Sequence, residues 1–236
     1  MRVLGIESSS LVASVALVTD DIMTAEYTVD FKKTHSQTLL PMLDEIVKLL
    51  DLDLDTIDAI AVAGGPGSFT GLRIGLAAVK GLAFPRETLC APVSTLEALA
   101  AAHTGEGTVL CALDARRAQV YSAAFDLATH QRLLEDDARA VADLAQFVEN
   151  CKKPLFFVGD GATLCYNTYK NVPGVVCVPQ PMQVLRGAGV ALAARAMWER
   201  GECVPPAALL PDYHRLSQAE RERAEREKTE GKQNEV

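Results

Sequence analysis

Carboxylates at strand ends, a histidine at a helix start, a glycine turn and scattered thiols are the residues of this 236-residue chain that could carry chemistry. Glu7 closes an apolar run near the amino terminus and is followed by Ser8-Ser9-Ser10, and Asp114 closes a second such run. Acids placed at the bends of two hairpins can face phosphates and a magnesium ion across a cleft, or each can cap its own turn. His35 could ligate a metal if a second ligand stood one helical turn further on. Position 39 is Leu39, and His103, His130 and His214 are remote, so no metal centre is expected. The six cysteines, at 90, 111, 151, 165, 177 and 203, form no C-x-x-C pair. They read as reduced thiols and not as a zinc site or a disulfide frame. With no G-x-S-x-G elbow and no H-E-x-x-H helix, no catalytic set is expected.

The glycine turn is Gly64-Gly65-Pro66-Gly67, which ends an apolar run at 60–63 and precedes a helix expected to reach Phe84, capped by Ser68 or Thr70. A turn opening a helix suggests a phosphate cradle. The P-loop lysine is missing, however, and Gly65, Gly67 and Gly71 read G-x-G-x-x-x-G, which is not the dinucleotide fingerprint. Gly71, Gly75 and Ala78 put the smallest residues on one face of that helix, beside Leu72, Leu76, Val79 and Ala83. An interior glycine costs about 1 kcal/mol relative to alanine, so another backbone should approach closely there. That backbone belongs either to this chain or to a second subunit.

Stepping along the chain, strands are expected at 3–7 and 14–19, joined by the three serines, with a third at 27–31. A helix follows through Leu39, Leu43, Ile46, Val47 and Leu50, with Thr34 and Gln37 as a capping box. Pro41 either kinks it early or lies in its first turn after a Thr38 cap. Ser94 and Glu97 form a second capping box. The polar stretch 103–107 is the expected domain boundary. Beyond it the pattern recurs: an apolar strand ending on Asp114, a turn through Arg116-Arg117, a returning strand, a helix near 141–148, and an apolar run halting at Gly159-Asp160-Gly161. Repetition at this length implies a duplicated domain, with lobes at 1–104 and 105–216. A helix at 185–198 closes the second lobe and is expected to pack back on the first. The segment 217–236 carries six glutamates and five arginines or lysines with few apolar residues, a solvated tail. No run approaches about 18 apolar residues, and no leader precedes the first strand, so a cytoplasmic location without membrane contact is expected. The net charge of −8 argues against unaided nucleic-acid binding.

The blocks LGIESS, THSQTLLPML, GGPGSFTGLRIGLAAVKGLAF, APVSTLEALA, LDARRAQVYSAAF and PDYHR lie in order from Leu4 to Arg215. In these the chain resembles the bacterial TsaB family. The resemblance implies an α/β, actin-like ASKHA fold of two related lobes, each a mixed sheet flanked by helices. It also implies a pseudoenzyme, a dimerisation subunit for TsaD in attaching a threonylcarbamoyl group to the tRNA adenosine 3′ of the anticodon. The metal-binding His-x-x-x-His of TsaD falls here on His35 and Leu39.

Further partners implied are the ATPase TsaE and, indirectly, TsaC as supplier of threonylcarbamoyl-adenylate. A homodimer is implied when TsaD is absent, and tRNA contact only through the complex. The family's dimer forms through first-lobe helices, which carries over to Leu39, Leu43, Ile46, Val47 and Leu50, and to Gly71, Leu72, Gly75, Ala78 and Val79. No cofactor is implied beyond weak nucleotide contact at Glu7, Ser8, Ser9, Gly65 and Gly67. The bend without glycine, and Glu7 where relatives commonly have aspartate, weigh against a tight site. The alternatives are a nucleotide-dependent small-molecule kinase on the same lobes and a glycoprotease-like metallopeptidase.

Overall fold

The computed structural model describes residues 1–31 and 33–214. The tail expected at 217–236, and Arg215, lie outside them. Strands β1 (Arg2–Glu7), β2 (Val12–Thr19), β3 (Ile22–Asp30), β4 (Ala59–Gly65) and β5 (Leu89–Ser94) form a sheet in the order β3-β2-β1-β4-β5. β1 is antiparallel to β2 and parallel to β4. Near-continuous apolar runs in β1, β2 and β4 are what a sheet covered on both faces requires. One face packs on α1 (His35–Leu49) and α2 (Phe69–Ala83), where Leu4, Ile6, Ile60 and Val62 meet Leu43, Ile46, Leu72 and Val79. The other face packs on α3 (Thr95–Ala101) and α6 (Gly187–Glu199), joining Val3, Ala61 and Val93 to Ala98, Val190 and Ala194.

A second sheet contains β6 (Thr108–Asp114), β7 (Gln119–Asp126), β8 (Arg132–Ala140), β9 (Leu155–Val158) and β10 (Val175–Cys177) in the order β10-β9-β6-β7-β8. Its first strand is antiparallel to the second and parallel to the fourth, as in the first sheet. The duplication read from sequence is therefore a repeated topology, an α/β fold of two related halves, each a mixed five-stranded sheet flanked by helices. α3 covers the near face of this sheet through Leu96 and Leu99. The far face packs on α4 (Ala145–Asn150) and α5 (Ala162–Tyr169). The layers run α1/α2, sheet, α3/α6, sheet, α4/α5, so α6, the last α-helix among the described residues, lies against the first sheet.

Local details differ from expectation where tertiary packing overrides sequence signals. Thr34 stands at the N-cap of α1 but its side chain makes no capping bond, because Oγ1 meets Ser36 Oγ at 3.2 Å. The Thr34–Gln37 capping box is not formed, and neither is a Thr38 cap, since the helix begins at His35 with Pro41 inside it. The buried stripe Leu39, Met42, Leu43 and Ile46 holds that helix in place. Ser68, not Thr70, caps α2, its oxygen accepting from Gly71 N–H at 3.3 Å.

The small-residue face of α2 meets the chain's own backbone. A Cβ on Gly71 would strike the Ser8 carbonyl oxygen, and one on Gly75 would strike Ser8 Oγ with Val62 Cγ2 at 3.3 Å. The approaching backbone is this chain's own β1–β2 turn. Gly75→Leu is therefore expected to unfold the chain or cost more than about 3 kcal/mol. Gly81, whose Cβ would meet nothing within 4 Å, should gain about 0.5–1 kcal/mol as alanine. Urea unfolding of the two variants checks both signs.

Candidate functional site

The β1–β2 turn, the glycine turn and the start of α1 meet at one place. Ser8 Oγ donates to the Gly71 carbonyl at 3.0 Å, Ser68 N–H donates to the Ser9 carbonyl at 2.6 Å, and His35 Nε2 lies 2.8 Å from the Ser10 carbonyl. Ser8 and Ser9 are buried. Two amides at the N-terminus of α2 are thus spent on its own chain, Ser68 N–H on Ser9 and Gly71 N–H on the Ser68 cap. A phosphate in the cradle suggested by the glycine turn would have to displace the Ser9 carbonyl. The carboxyl-terminal segment adds a further clamp. Asp212 N–H donates to the Gly64 carbonyl at 2.8 Å, Tyr213 stacks on Phe69 with centroids 4.5 Å apart, and Arg73 lies over the Phe69 ring at 3.9 Å.

Glu7 points inward. It is 0% exposed, and its Oε1 accepts from Ser9 N–H and Oγ–H, each at 2.5 Å. Oε2 has no partner among the described residues. Burial outweighs those bonds and pushes its pKa from 4.5 up to about 7. Asp114 is exposed and caps its own turn, Oδ1 accepting from Arg116 N–H at 2.7 Å, while its amide donates to Asp160 Oδ1 at 2.8 Å. Burial raises the Asp160 carboxyl above its ordinary value.

A cavity of 280 Å³ opens between the halves, lined by Ser10, Leu11, Asp30, Leu113, Asp160 and Thr163 among others. None of the five residues expected as weak nucleotide contacts lines it. Glu7, Ser8, Ser9 and Gly65 are buried, and Gly67 is half-buried with the Ser9 carbonyl 2.6 Å from where its Cβ would stand. Ser8 and Ser9 turn onto α2 because the Ser8 hydroxyl and the Ser9 carbonyl are satisfied there. Another cavity, of 380 Å³, lies at the carboxyl ends of β4 and β5, and Gly65 does line it, with Gly64, Ser94, Arg132, Asp212 and His214.

Comparison with known proteins places this geometry. The family described as TsaD, tRNA N6-adenosine threonylcarbamoyltransferase, matches residues 29–220. The tRNA threonylcarbamoyladenosine biosynthesis protein TsaB of Bacillus subtilis (strain 168) is 29% identical over 231 residues, 93% of this chain and 96% of that protein. The protein of the same name from Escherichia coli (strain K12) is 38% identical over 128 residues, 53% of this chain and 55% of that one. The solved structure of YeaZ from Pseudomonas aeruginosa superposes with a TM-score of 0.71 at 27% identity, covering 90% of this chain and 99% of that one. The chain belongs to the TsaB family of tRNA threonylcarbamoyladenosine biosynthesis proteins.

Within that family's shape, the residues carried over as a partner interface divide into two sets. Leu39, Leu43, Ile46, Gly71, Leu72, Gly75 and Val79 are buried in the first half's own core, while Val47, Leu50 and Ala78 are partly exposed. A side chain already enclosed by its own sheet has no surface to give a partner. The outward flanks of the same helices carry other residues. On α1 these are Leu40, 53% exposed, and Asp44, beside half-buried Val47 of the carried-over set. On α2 and just past it, Ile74, Ala77, Gly81 and Phe84 recur at helical spacing, with Phe84 67% exposed. The sequence signal for this second set is that α2 is apolar over most of its circumference, so that one covered stripe leaves another.

His35 has no ligand companion: among the described residues no group of three or more His, Cys, Asp or Glu could hold a metal ion. All six cysteines are free; burial pushes the Cys90 thiol up to about 11 and the Cys165 thiol up to about 12, so neither is a nucleophile near neutral pH. Among the described residues no helix is long and apolar enough to cross a membrane.

Glu7 sets a pH dependence. The folded chain keeps its proton up to about pH 7, whereas the unfolded chain, with the carboxyl near 4.5, releases it earlier. Stability should therefore fall as pH rises from about 4.5 to 7 and level off above. Glu7→Gln should flatten that slope and be the more stable form at pH 8 by about 1–3 kcal/mol. Urea unfolding of both forms at pH 5 and pH 8 measures the difference.

Proposed function

We propose that this chain is a non-catalytic assembly subunit in tRNA threonylcarbamoyladenosine formation, with residues 1–104 as its partner-binding lobe and 105–216 as the second lobe. The observation that carries the reading is the apolar surface left on the outer flanks of α1 and α2: exposed Leu40 on one helix, exposed Ala77, Gly81 and Phe84 along the other, bordered by Val47 and Ile74, which also pack on the core. The open position at Gly81 lets a second helix approach closely. A TsaD-type transferase is the proposed occupant, over about 1,200–2,000 Å² if the interface is of standard size. A second copy of this chain takes the same surface when the transferase is absent.

In this reading the transferase holds the metal and moves the threonylcarbamoyl group from the adenylate supplied by TsaC to the adenosine nitrogen. TsaE joins the pair as ATPase. This chain does no bond-making and acts by holding the transferase lobe in its working form. Its location is cytoplasmic, where tRNA is modified. The kinase alternative needs a phosphate cradle, and the cradle candidate at α2 is filled by Ser9. Titration with MgATP should give no micromolar binding to the isolated chain. The metallopeptidase alternative needs stoichiometric metal, which elemental analysis of the purified protein tests.

Leu40→Glu and Ala77→Arg are expected to weaken association with a TsaD-type transferase at least about tenfold. Both sites are exposed, so unfolding free energies should change by no more than about 0.5 kcal/mol. Sedimentation of mixtures with the transferase is the measurement. Unchanged association in both variants would place the interface elsewhere.

A further inference from the structure

The turn between β6 and β7 is unusual in backbone and in charge. Three successive residues without glycine's freedom, Arg116, Arg117 and Ala118, have φ of 67°, 56° and 57°. A left-handed residue of this kind costs about 1–3 kcal/mol and persists only where its surroundings fix it. They do so here. Asp114 Oδ1 accepts from Arg116 N–H, Ala115 N–H donates to the Gln119 carbonyl at 3.0 Å, and Gln119 N–H donates to the Arg116 carbonyl at 3.1 Å. Val141 N–H closes the loop on the Ala118 carbonyl at 3.3 Å.

The two arginines so displayed are exposed and, among the described residues, make no side-chain hydrogen bond or ion pair. Other arginines are engaged: Arg86 with Asp55, Arg132 with Glu97, Arg186 with Glu26, Arg195 with Asp21 and Arg200 with Glu202. The amides of Arg117 and Ala118 are also without a partner among the described residues. The neighbouring carboxylates hydrogen-bond to backbone, Asp114 to Arg116 N–H and Asp160 to Asp114 N–H, and Asp160 also feels the Arg116 charge without bonding to it. A turn that offers two exposed guanidiniums without a hydrogen-bonded carboxylate, Arg116 feeling Asp160 only through space, and two amides without a partner among the described residues has the donor set that binds phosphate oxygens.

We propose that this turn is the chain's contact for RNA phosphates, Arg116 and Arg117 taking backbone oxyanions of the tRNA held by the assembly. The inference rests on the assembly reading above and gives this chain a direct share in holding the tRNA. A chain of net charge −8 would bind RNA weakly alone, and the turn acts once a partner supplies the remaining positive surface.

The test uses the complex of this chain with a TsaD-type transferase, fluorescent tRNA and anisotropy between 50 and 250 mM salt, ranges of the order that expose counterion release. Arg116→Gln/Arg117→Gln is expected to lower affinity about three- to tenfold near 100 mM and to make the slope of log K against log salt shallower by about 1.5. Arg116→Lys/Arg117→Lys should restore most of the slope. An unchanged slope in the glutamine variant, with its complex intact by sedimentation, would overturn the proposal. Loss of association in the absence of RNA would also overturn it, by assigning the turn to a protein carboxylate. Failure of the unaltered chain to join the transferase in that same RNA-free sedimentation would instead count against the assembly reading.

Discussion

The seating of the Ser8-Ser9 turn on the glycine face of α2 is the contact that the first half of the molecule is built around. It joins the β1–β2 hairpin to the glycine turn through Ser9 and Ser68, to α2 through Ser8 and Gly71, and to α1 through Ser10 and His35. Buried hydroxyls and carbonyls have to find partners, and at this point each element satisfies another. The arrangement needs glycine at 71 and 75, because no side chain fits between α2 and Ser8. Those two residues give up about 2 kcal/mol of helix propensity, and Glu7, directly before the turn, is held in the interior with one oxygen unpartnered. Packing of Leu72, Leu76 and Val79 into the shared core offsets these terms.

Much of this was legible in the chain itself. Spacing alone said that a backbone approaches Gly71 and Gly75, and that the halves repeat. It could not say whose backbone approaches, because Ser8 lies 63 residues from Gly71 and nothing local encodes that meeting. Glu7 and Asp114 look equivalent as acids at strand ends, yet one is buried and the other solvated. Their fates differ in how each hairpin end is covered: α2 seals the first over Ser8, whereas the Gly159–Gly161 turn packs on Ala112 and leaves Asp114 at the surface.

β8 was hidden for a different reason. Its burial alternates along Arg132, Leu133, Leu134 and Glu135 as an edge strand's should. Its inward positions include Arg132 and Asp136, which are tied to each other, to Glu97 and to Ser94. A strand whose inner face is satisfied by ion pairs carries no hydrophobic period. The outward residues of α2 were hidden by the opposite excess. A helix apolar nearly all round gives no sequence clue to which stripe meets its own core, and only the position of Ser8 separates the two.

The same contact bears on why a two-lobed fold should serve as a support. A fold does not dictate chemistry; the site does. A nucleotide-using version of this architecture must keep its first turn and helix N-terminus open, so that amides can approach a phosphate without reorganising. Here the Ser9 carbonyl takes Ser68 N–H and the Ser8 hydroxyl donates to the Gly71 carbonyl, while exposed apolar residues stand on the outer flanks of α1 and α2. Rigid helices with small or apolar outward residues suit association, since little side-chain entropy is lost when Ala77 or Gly81 is covered. On the proposed reading, the filling of the cleft end and the availability of the helix flanks are two results of one packing choice. A substitution that reopened the Ser8-Ser9 turn would then loosen the partner-binding surface from within, without altering any residue on it.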